Sequence, residues 1–570
     1  MSGRTPATPF ATKIGFSQRA VLPRRNFALG VIATLTMAGL LSGCSSLTGK
    51  KSDPDDSSVA KLLEAPEPPE LIREAAAPRG LNPLQISGVG LANSLVGTGG
   101  PADPSPYRDQ LIEEMRRNDV KSPNDILELP NNAIVRITAT VPAGAKRGDT
   151  IDLRIDSPPG NNATDLHGGW LLDTRMRLEQ VIQGRVRKGD VLAMATGSIL
   201  PRAAFEASTD QRMKTQGLVL SGGTVQKTRT MGLVLRPEFQ HVKVSSEIAA
   251  AINRRFFFFD GTTRRGVAKA VEDDYIELEL HPRYEGSLGR YIAVVRAIVI
   301  DERKANQQAR LKKLATMLSD PTTAADAALQ LEGLGESAIP TLTAAIKTEN
   351  RELRFYAAEA LAYLDRSDAI SPLEDAIANE SAFRYPAIAA LKGLEHPSVS
   401  DALARLFHQP SVETRYGSFV ALRERGDSDV PLAGEQIGNA LRYYQIESDA
   451  PPVIVLSTRK EPEVVVYGTP SPVKVSGAIL GPNALIVKSE PTDPGKIRIS
   501  RFQVGKDDRR SIVPSTVRGM IDGIIAVGGD YSDVVAVLRL AKSKQHLDDQ
   551  LAIDPLPKAL RTYYRDEESI

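Results

Sequence analysis

One cysteine in 570 residues excludes any intramolecular disulfide, any Cys-cluster metal centre and any CxxC redox pair. Histidine is scarce as well. The six, His167, His241, His281, His396, His408 and His546, stand singly, with no HExxH helix and no pair at ligand spacing, so zinc and di-iron sites lack their usual ligands. Net charge is nearly absent, 71 basic residues against 70 acidic ones, which removes the electrostatic footprint of a nucleic-acid binder. No apolar stretch reaches the roughly 20 residues a lone spanning helix needs. A Gly-x-Ser-x-Gly elbow is missing too, so no catalytic, metal or cofactor residue is assigned and the chain reads as a non-enzyme.

What is present begins with an address. Residues 1–43 hold Arg4, Lys13, Arg19, Arg24 and Arg25 without a single acid, then an apolar run from Phe27 to Leu41, the layout of a signal peptide. The run ends in Leu41-Ser42-Gly43-Cys44, which looks like a bacterial lipobox, so Cys44 is expected to be lipidated and to become the first mature residue. Two or more acyl chains would hold it to a membrane, and Ser45 in place of an aspartate points to the outer membrane. The alternative is a chance cysteine behind an uncleaved apolar segment. Pro23-Arg24-Arg25-Asn26-Phe27 also resembles a twin-arginine export signal, leaving the export route open. Residues 44–83, rich in Ser, Asp, Glu, Ala and Pro, read as a semi-extended tether.

Residues 84–302 read as an α+β domain. Val135, Ile137, Ala139 and Val141 alternate with polar residues, as do Ile151, Leu153 and Ile155, and the two runs predict neighbouring antiparallel strands. Tyr275 to Leu280 is a third alternating strand, and Ser246 to Arg255 has helical spacing. The glycines between Gly88 and Gly100 suggest phosphate binding at first sight. A P-loop needs a Gly-Lys-Ser/Thr ending, and no lysine lies between Gly80 and Lys121, so they read instead as positions of close backbone approach or positive φ. His167 reads as a turn histidine, Asp273 and Asp274 as solvated strand-edge charges. Phe256 to Phe259 predicts a strand buried on both faces, with a subunit contact as the alternative.

From 303 to 445 the chain repeats itself. Leu331, Leu361, Leu391 and Leu422 recur at about 30 residues, in step with Leu334, Leu364 and Leu394, with Ile339, Ile370, Val399 and Val430, and with Ile346, Ile377, Leu406 and Ile437. This period predicts stacked helix pairs resembling short HEAT repeats, an all-α solenoid that either binds a protein partner or acts as a spacer. Residues 446–570 return to strands at Pro452–Arg459, Glu463–Gly468, Val473–Gly477 and Ala484–Val487, then to a pair of apolar helices split at Gly528-Gly529.

Several of these segments together resemble the flagellar basal-body P-ring protein family. The carriers are Gly88-Val89-Gly90-Leu91 through Gly97-Thr98-Gly99, the strand Ile134 to Pro142, Lys146-Arg147-Gly148-Asp149-Thr150-Ile151-Asp152, and His167-Gly168-Gly169-Trp170-Leu171-Leu172, in the family's order. Residues 446–570 resemble that family's second domain. The resemblance marks Gly88, Gly90, Gly97, Gly99, Gly148, Gly168 and Gly169 as motif glycines. It implies two mixed α+β domains interrupted by the solenoid, and a structural subunit that closes into a homo-oligomeric ring, a bushing around the flagellar rod with the L ring and peptidoglycan as neighbours. A periplasmic, lipid-anchored location follows from the address. The lipobox, the inserted repeats and the lack of C-terminal cysteines depart from the family's usual pattern. The competing expectation is a periplasmic HEAT-type adaptor unrelated to motility.

Overall fold

The computed structural model describes residues 65–182, 185–207, 210–301, 306–426, 432, 434–503, 507–559, 561 and 563. The signal segment, Cys44, most of the expected tether and Val430 lie outside them. No helix among the described residues is long and apolar enough to cross a membrane.

Folded structure begins ahead of residue 84. The short helix α1 (Ile72–Ala75) leads into β1 (Ala76–Arg79), and Ile72, Ala75 and Ala76 are fully buried. Their apolar side chains have a core to enter, so the expected tether stops short of residue 83. The next strands, β2 (Leu84–Asn93), β3 (Ala133–Val141), β4 (Thr150–Asp156), β5 (Trp170–Ile182), β6 (Arg185–Ser198), β7 (Leu200–Pro201) and β8 (Gln216–Val225), form one sheet in the order β4-β3-β2-β5-β6-β8-β7. A further β4–β8 pairing closes it on itself. The predicted β3–β4 pair is antiparallel, with Ile137 opposite Ile155 and Ala139 opposite Leu153. Their inward side chains fill the closed sheet, which leaves the alternating polar residues outside. Helices α2 (Pro106–Arg117) and α3 (Pro123–Leu127) cover Val89, Leu91 and Ile134 on the outside, and α4 (Arg202–Phe205) follows β7.

A second sheet, in the order β1-β9-β13-β12, unites β1 with β9 (Met231–Leu235), β12 (Ala268–Ala270) and β13 (Tyr275–Leu278). Helices α5 (Val242–Arg255) and α6 (Leu288–Ala297) pack on it. Between α5 and β12 runs a two-stranded ribbon, β10 (Phe257–Asp260) with β11 (Thr263–Gly266). Here the phenylalanine prediction is corrected. Only Phe256 is buried, while Phe259 is 66% exposed. The two-stranded ribbon keeps Phe258 against the main core but leaves its rings only partly covered, with Arg264 and Arg265 lying over Phe257 and Phe258.

The repeats then follow as α7 (Gln307–Leu318), α8 (Ala324–Leu334), α9 (Ile339–Ala345), α10 (Arg351–Tyr363), α11 (Ile370–Asn379), α12 (Arg384–Gly393), α13 (Ser398–Arg405) and α14 (Val412–Arg425). Leu331, Leu361, Leu391 and Leu422 fall on α8, α10, α12 and α14 and are all buried. Ile339, Ile370 and Val399 fall on the second helices. The helical run ends at Arg425, not 445, because Ile437 lies in a strand, β14 (Glu435–Ile437), and enters a different core. Nor is residue 302 an internal boundary. One core runs from Ile72 and Leu233 through Ile292 and Leu361 to Tyr467, so the second sheet and the solenoid fold against each other.

A third sheet orders β14, β15 (Leu441–Ile446), β17 (Glu463–Tyr467), β16 (Val453–Leu456) and β22 (Gln550–Ile553). Val453, Val455 and Val465 face the solenoid; Ile454, Leu456, Val464 and Val466 face the last layer. Burial on both sides explains why β16 and β17 read as unbroken apolar runs. The last layer holds β18 (Ala478–Leu480), β19 (Leu485–Glu490), β20 (Asp493–Arg501) and β21 (Arg509–Pro514), with α15 (Val517–Ala526) and α16 (Tyr531–Ser543) as the predicted helix pair. Val473 and Val475 are buried there, but residues 471–476 form no strand, since the Lys474 amide donates to the His546 carbonyl rather than into a ladder.

Candidate functional site, a glycine-built junction on a buried histidine

Gly88 and Gly90 lie in β2 against β5. A Cβ on Gly90 would stand 2.2 Å from Thr174 Oγ1, and one on Gly88 would stand 2.8 Å from the Arg175 carbonyl, so the pairing leaves no room for side chains. Past the strand, Gly97 takes a positive φ of 69°. Thr98 then ties two loops together: its hydroxyl donates to the Asp165 carbonyl at 2.7 Å, and its carbonyl accepts from the Thr164 amide at 2.8 Å. Gly99 closes on Pro130 and Asn132, where a Cβ would come within 2.2 Å of the Asn132 carbonyl. Gly168 and Gly169 belong to the loop that Thr98 holds. Six of the seven motif glycines thus serve one region. Gly148 does not: it turns the chain between β3 and β4 at φ 97°, and its amide donates to Val225.

What the loop presents is His167. Its Nε2 lies 2.8 Å from Asp533 Oδ1 and 3.1 Å from Ser532 Oγ, at the start of α16, 366 positions along the chain. Asp530 caps that helix, its Oδ1 accepting from the Asp533 amide at 3.0 Å and from the Ser532 hydroxyl at 2.7 Å. Asp533 returns the favour by accepting from the Asp530 amide at 3.2 Å, and the Arg501 guanidinium stands 3.4 Å from it. His167 is 5% exposed and Asp533 1%. Burial works against protonation of the ring, but the Asp533 hydrogen bond and charge, with Asp530 and Asp165 nearby, outweigh it, so the His167 pKa is raised.

The arrangement resembles catalytic chemistry only in composition. A nucleophile triad sets serine and carboxylate on opposite ring nitrogens, whereas here both approach Nε2 and the Ser532 proton goes to Asp530. His167, Asp530 and Asp533 also gather ligand atoms within 4.8 Å. Their oxygens already accept from two amides and a hydroxyl, and Arg501 adds a fixed cation, so the set fits an ion pair sealed by a helix cap better than a metal. Beside it opens a cleft of about 670 Å³ lined by Gly168, Trp170, Asn439, Pro462 and Tyr531, with Trp170 47% exposed.

The predicted turn histidine is therefore in a turn, yet buried. Asp530, Ser532, Asp533 and Arg501 escaped the sequence reading; the Asp530-Tyr531-Ser532-Asp533 cap was a visible signal, but its partner was not. Beside β13, Asp273 is exposed, as a solvated edge charge would be, whereas Asp274 is half-buried. Cys44 lies outside the described residues.

Closed sheet, sandwiched sheets and helical repeats around shared cores make this an α+β scaffold carrying a solenoid. Residues 71–311 match the family model described as flagellar P-ring protein, and residues 309–391 match that of HEAT repeats, so the chain is similar to the first over one stretch and to the second over the next. The flagellar P-ring protein of Nitrosomonas europaea is 34% identical over 233 residues, 39% of this chain and 58% of its own. That of Albidiferax ferrireducens is 29% identical over 199 residues, 32% and 50%. That of Thermotoga maritima is 26% identical over 241 residues, 40% and 66%. The chain thus spans about half to two thirds of the length of the curated relatives it matches.

Proposed function

We propose that this protein is a structural, non-enzymatic ring subunit of the cell envelope, similar in role to the flagellar P ring and anchored through a lipid on Cys44. The match over residues 71–311 carries this reading. Packing supports it, because a ring needs rigid bodies whose head-to-tail contact closes, and the motif glycines build backbone approaches rather than a reactive centre. In this reading residues 1–43 are a signal peptide, Cys44 opens a short lipid-anchored tether that ends before Ile72, and the HEAT-like helices from Gln307 to Arg425 are inserted between P-ring-like α+β parts that share their core. Rod, L ring and peptidoglycan are its neighbours, and the exposed Phe259 ribbon is a surface available for the next copy. The chain beginning at Ser45, purified and concentrated, is expected to give annular oligomers in negative-stain electron microscopy. A strictly monomeric species by light scattering at high concentration would overturn the ring.

A second reading, a periplasmic adaptor that works through its repeats, is favoured by the separate HEAT match. Oligomerisation decides between them, since the adaptor needs no ring.

A further inference from the structure

The last described residues do not hang free of the solenoid. After β22 the chain leaves the third sheet at Asp554, whose amide donates to the Leu456 carbonyl at 2.9 Å, and then crosses the first helices of three successive repeats. Pro557 meets α14 at Gly417, where a Cβ would come within 2.9 Å of the proline ring and equally close to Ile388 of α12. Four residues on, Arg561 Nη2 donates to Glu413 Oε1 at 2.7 Å, while the other oxygen of Glu413 takes Arg384 at 3.1 Å. Tyr563 then stacks on Phe383, 4.6 Å between centroids and 25° between planes, and Phe383 stacks on Phe355 at 4.2 Å and 7°. Three kinds of contact therefore follow one another along the crossing: an apolar seat made by a glycine, a carboxylate, and a ladder of rings.

These features belong to the repeats, not to the crossing segment. Phe355 and Phe383 lie on successive repeats, and Glu413 is also paired with Arg384, so the groups that meet the segment are tied to the repeats' own packing. The seat is also not filled. A space of about 190 Å³ remains beside Leu556 and Pro557, bordered by Tyr385, Ile388, Val420 and Ala421. Among its described residues past Asp554 the crossing segment has no helix or strand, and its contacts to the solenoid are made by the side chains of Pro557, Arg561 and Tyr563.

We propose that this face of the solenoid is a recognition site for an extended peptide bearing a proline, an arginine four residues later and an aromatic residue two after that, and that residues 554–563 are its resident occupant. The inference stands independently of the ring. Glu413 selects the cation, the Phe355–Phe383 ladder selects a flat ring, and Gly417 selects the proline by leaving space that any side chain would fill. An external segment of this chemistry must displace the resident one, which competes at the millimolar effective concentration of a short tether. The site is thereby masked against weak ligands and open to stronger ones.

The probe is a fluorescent peptide of residues 554–563, titrated into the full chain by anisotropy. Wild type is expected to bind it weakly. The full chain carrying Arg561→Ala and Tyr563→Ala, whose own segment is loosened, should bind it at least about tenfold more tightly. Adding Glu413→Gln, which leaves the solenoid's apolar core untouched, should reverse most of that gain. Circular dichroism melts confirm that each chain is folded. Equal affinity in wild type and the doubly substituted chain, no binding to either, or tight binding indifferent to Glu413→Gln would each overturn the proposal.

Discussion

At single positions, backbone crowding and buried charge set the costs. Gly99 and Gly148 carry the same motif status but different surroundings. An alanine Cβ at 99 would sit 2.2 Å from a backbone oxygen that cannot turn aside, while at 148 nothing lies within 4 Å and only the positive φ resists. Gly99→Ala is therefore expected to cost about 3 kcal/mol or more, and Gly148→Ala about 1–2 kcal/mol, by urea denaturation. His167 offers a pH test. Because folding raises its pKa, its contribution is complete below about pH 6.5, the free-histidine value, and is lost as pH rises through the folded-state value. Wild type is expected to lose more stability than His167→Gln between about pH 6 and about pH 9. Identical slopes would remove the charged pair. Neither property was legible in the sequence. It shows a glycine but not the carbonyl beside it, and a histidine but not the carboxylate 366 positions away.

Among elements, polar groups sealed between layers decide how the solenoid meets the second sheet. Arg290 of α6 bonds Glu332 of α8 at 2.5 Å and pairs closely with Glu359 of α10, while Tyr284 donates to Glu332 and stacks on Tyr363. Burial, with Glu332 beside it, pushes Glu359 above the ordinary carboxylate range even though Arg290 opposes the shift. Arg290→Met strands two buried carboxylates and is expected to destabilise by about 3–5 kcal/mol in denaturant melts. Replacing all three charges by apolar residues of similar volume should recover most of it. The helices themselves were readable, because leucines at a 30-residue period must share one side of the stack. Their end was not. Ile437 keeps the phase by coincidence and joins a strand, since the apolar residue is compatible with either core. The ribbon at Phe257 failed for the converse reason: four aromatic residues promise burial only if some layer exists to cover them.

For the whole molecule, cores and chain segments do not coincide. The P-ring match ends at 311 and the repeats begin there, yet the largest core spans both and reaches Tyr467. Deleting residues 310–440 would expose Leu233, Ile292 and Val465 together, so that deletion is expected to yield insoluble chain or to lose near-ultraviolet circular dichroism, not to leave two folded parts. A soluble, cooperatively melting product would show that the parts are separable. Glu424 reinforces the same union. Burial alone would raise its pKa, but Lys392 of α12 and Lys460 of the β16–β17 turn bring it down to about 2. Segment types were thus visible from composition and period, whereas the merging of their interiors depends on contacts hundreds of residues apart.

The third sheet has a mechanical meaning. Its β16 and β17 strands are a party wall: valines on one side belong to the repeats, and isoleucine, leucine and valine on the other belong to the terminal helices. A substitution that repacks one side is therefore expected to be felt on the other, because alternate side chains of the same two strands belong to both interiors. Strain would travel across the wall before either neighbour could yield separately.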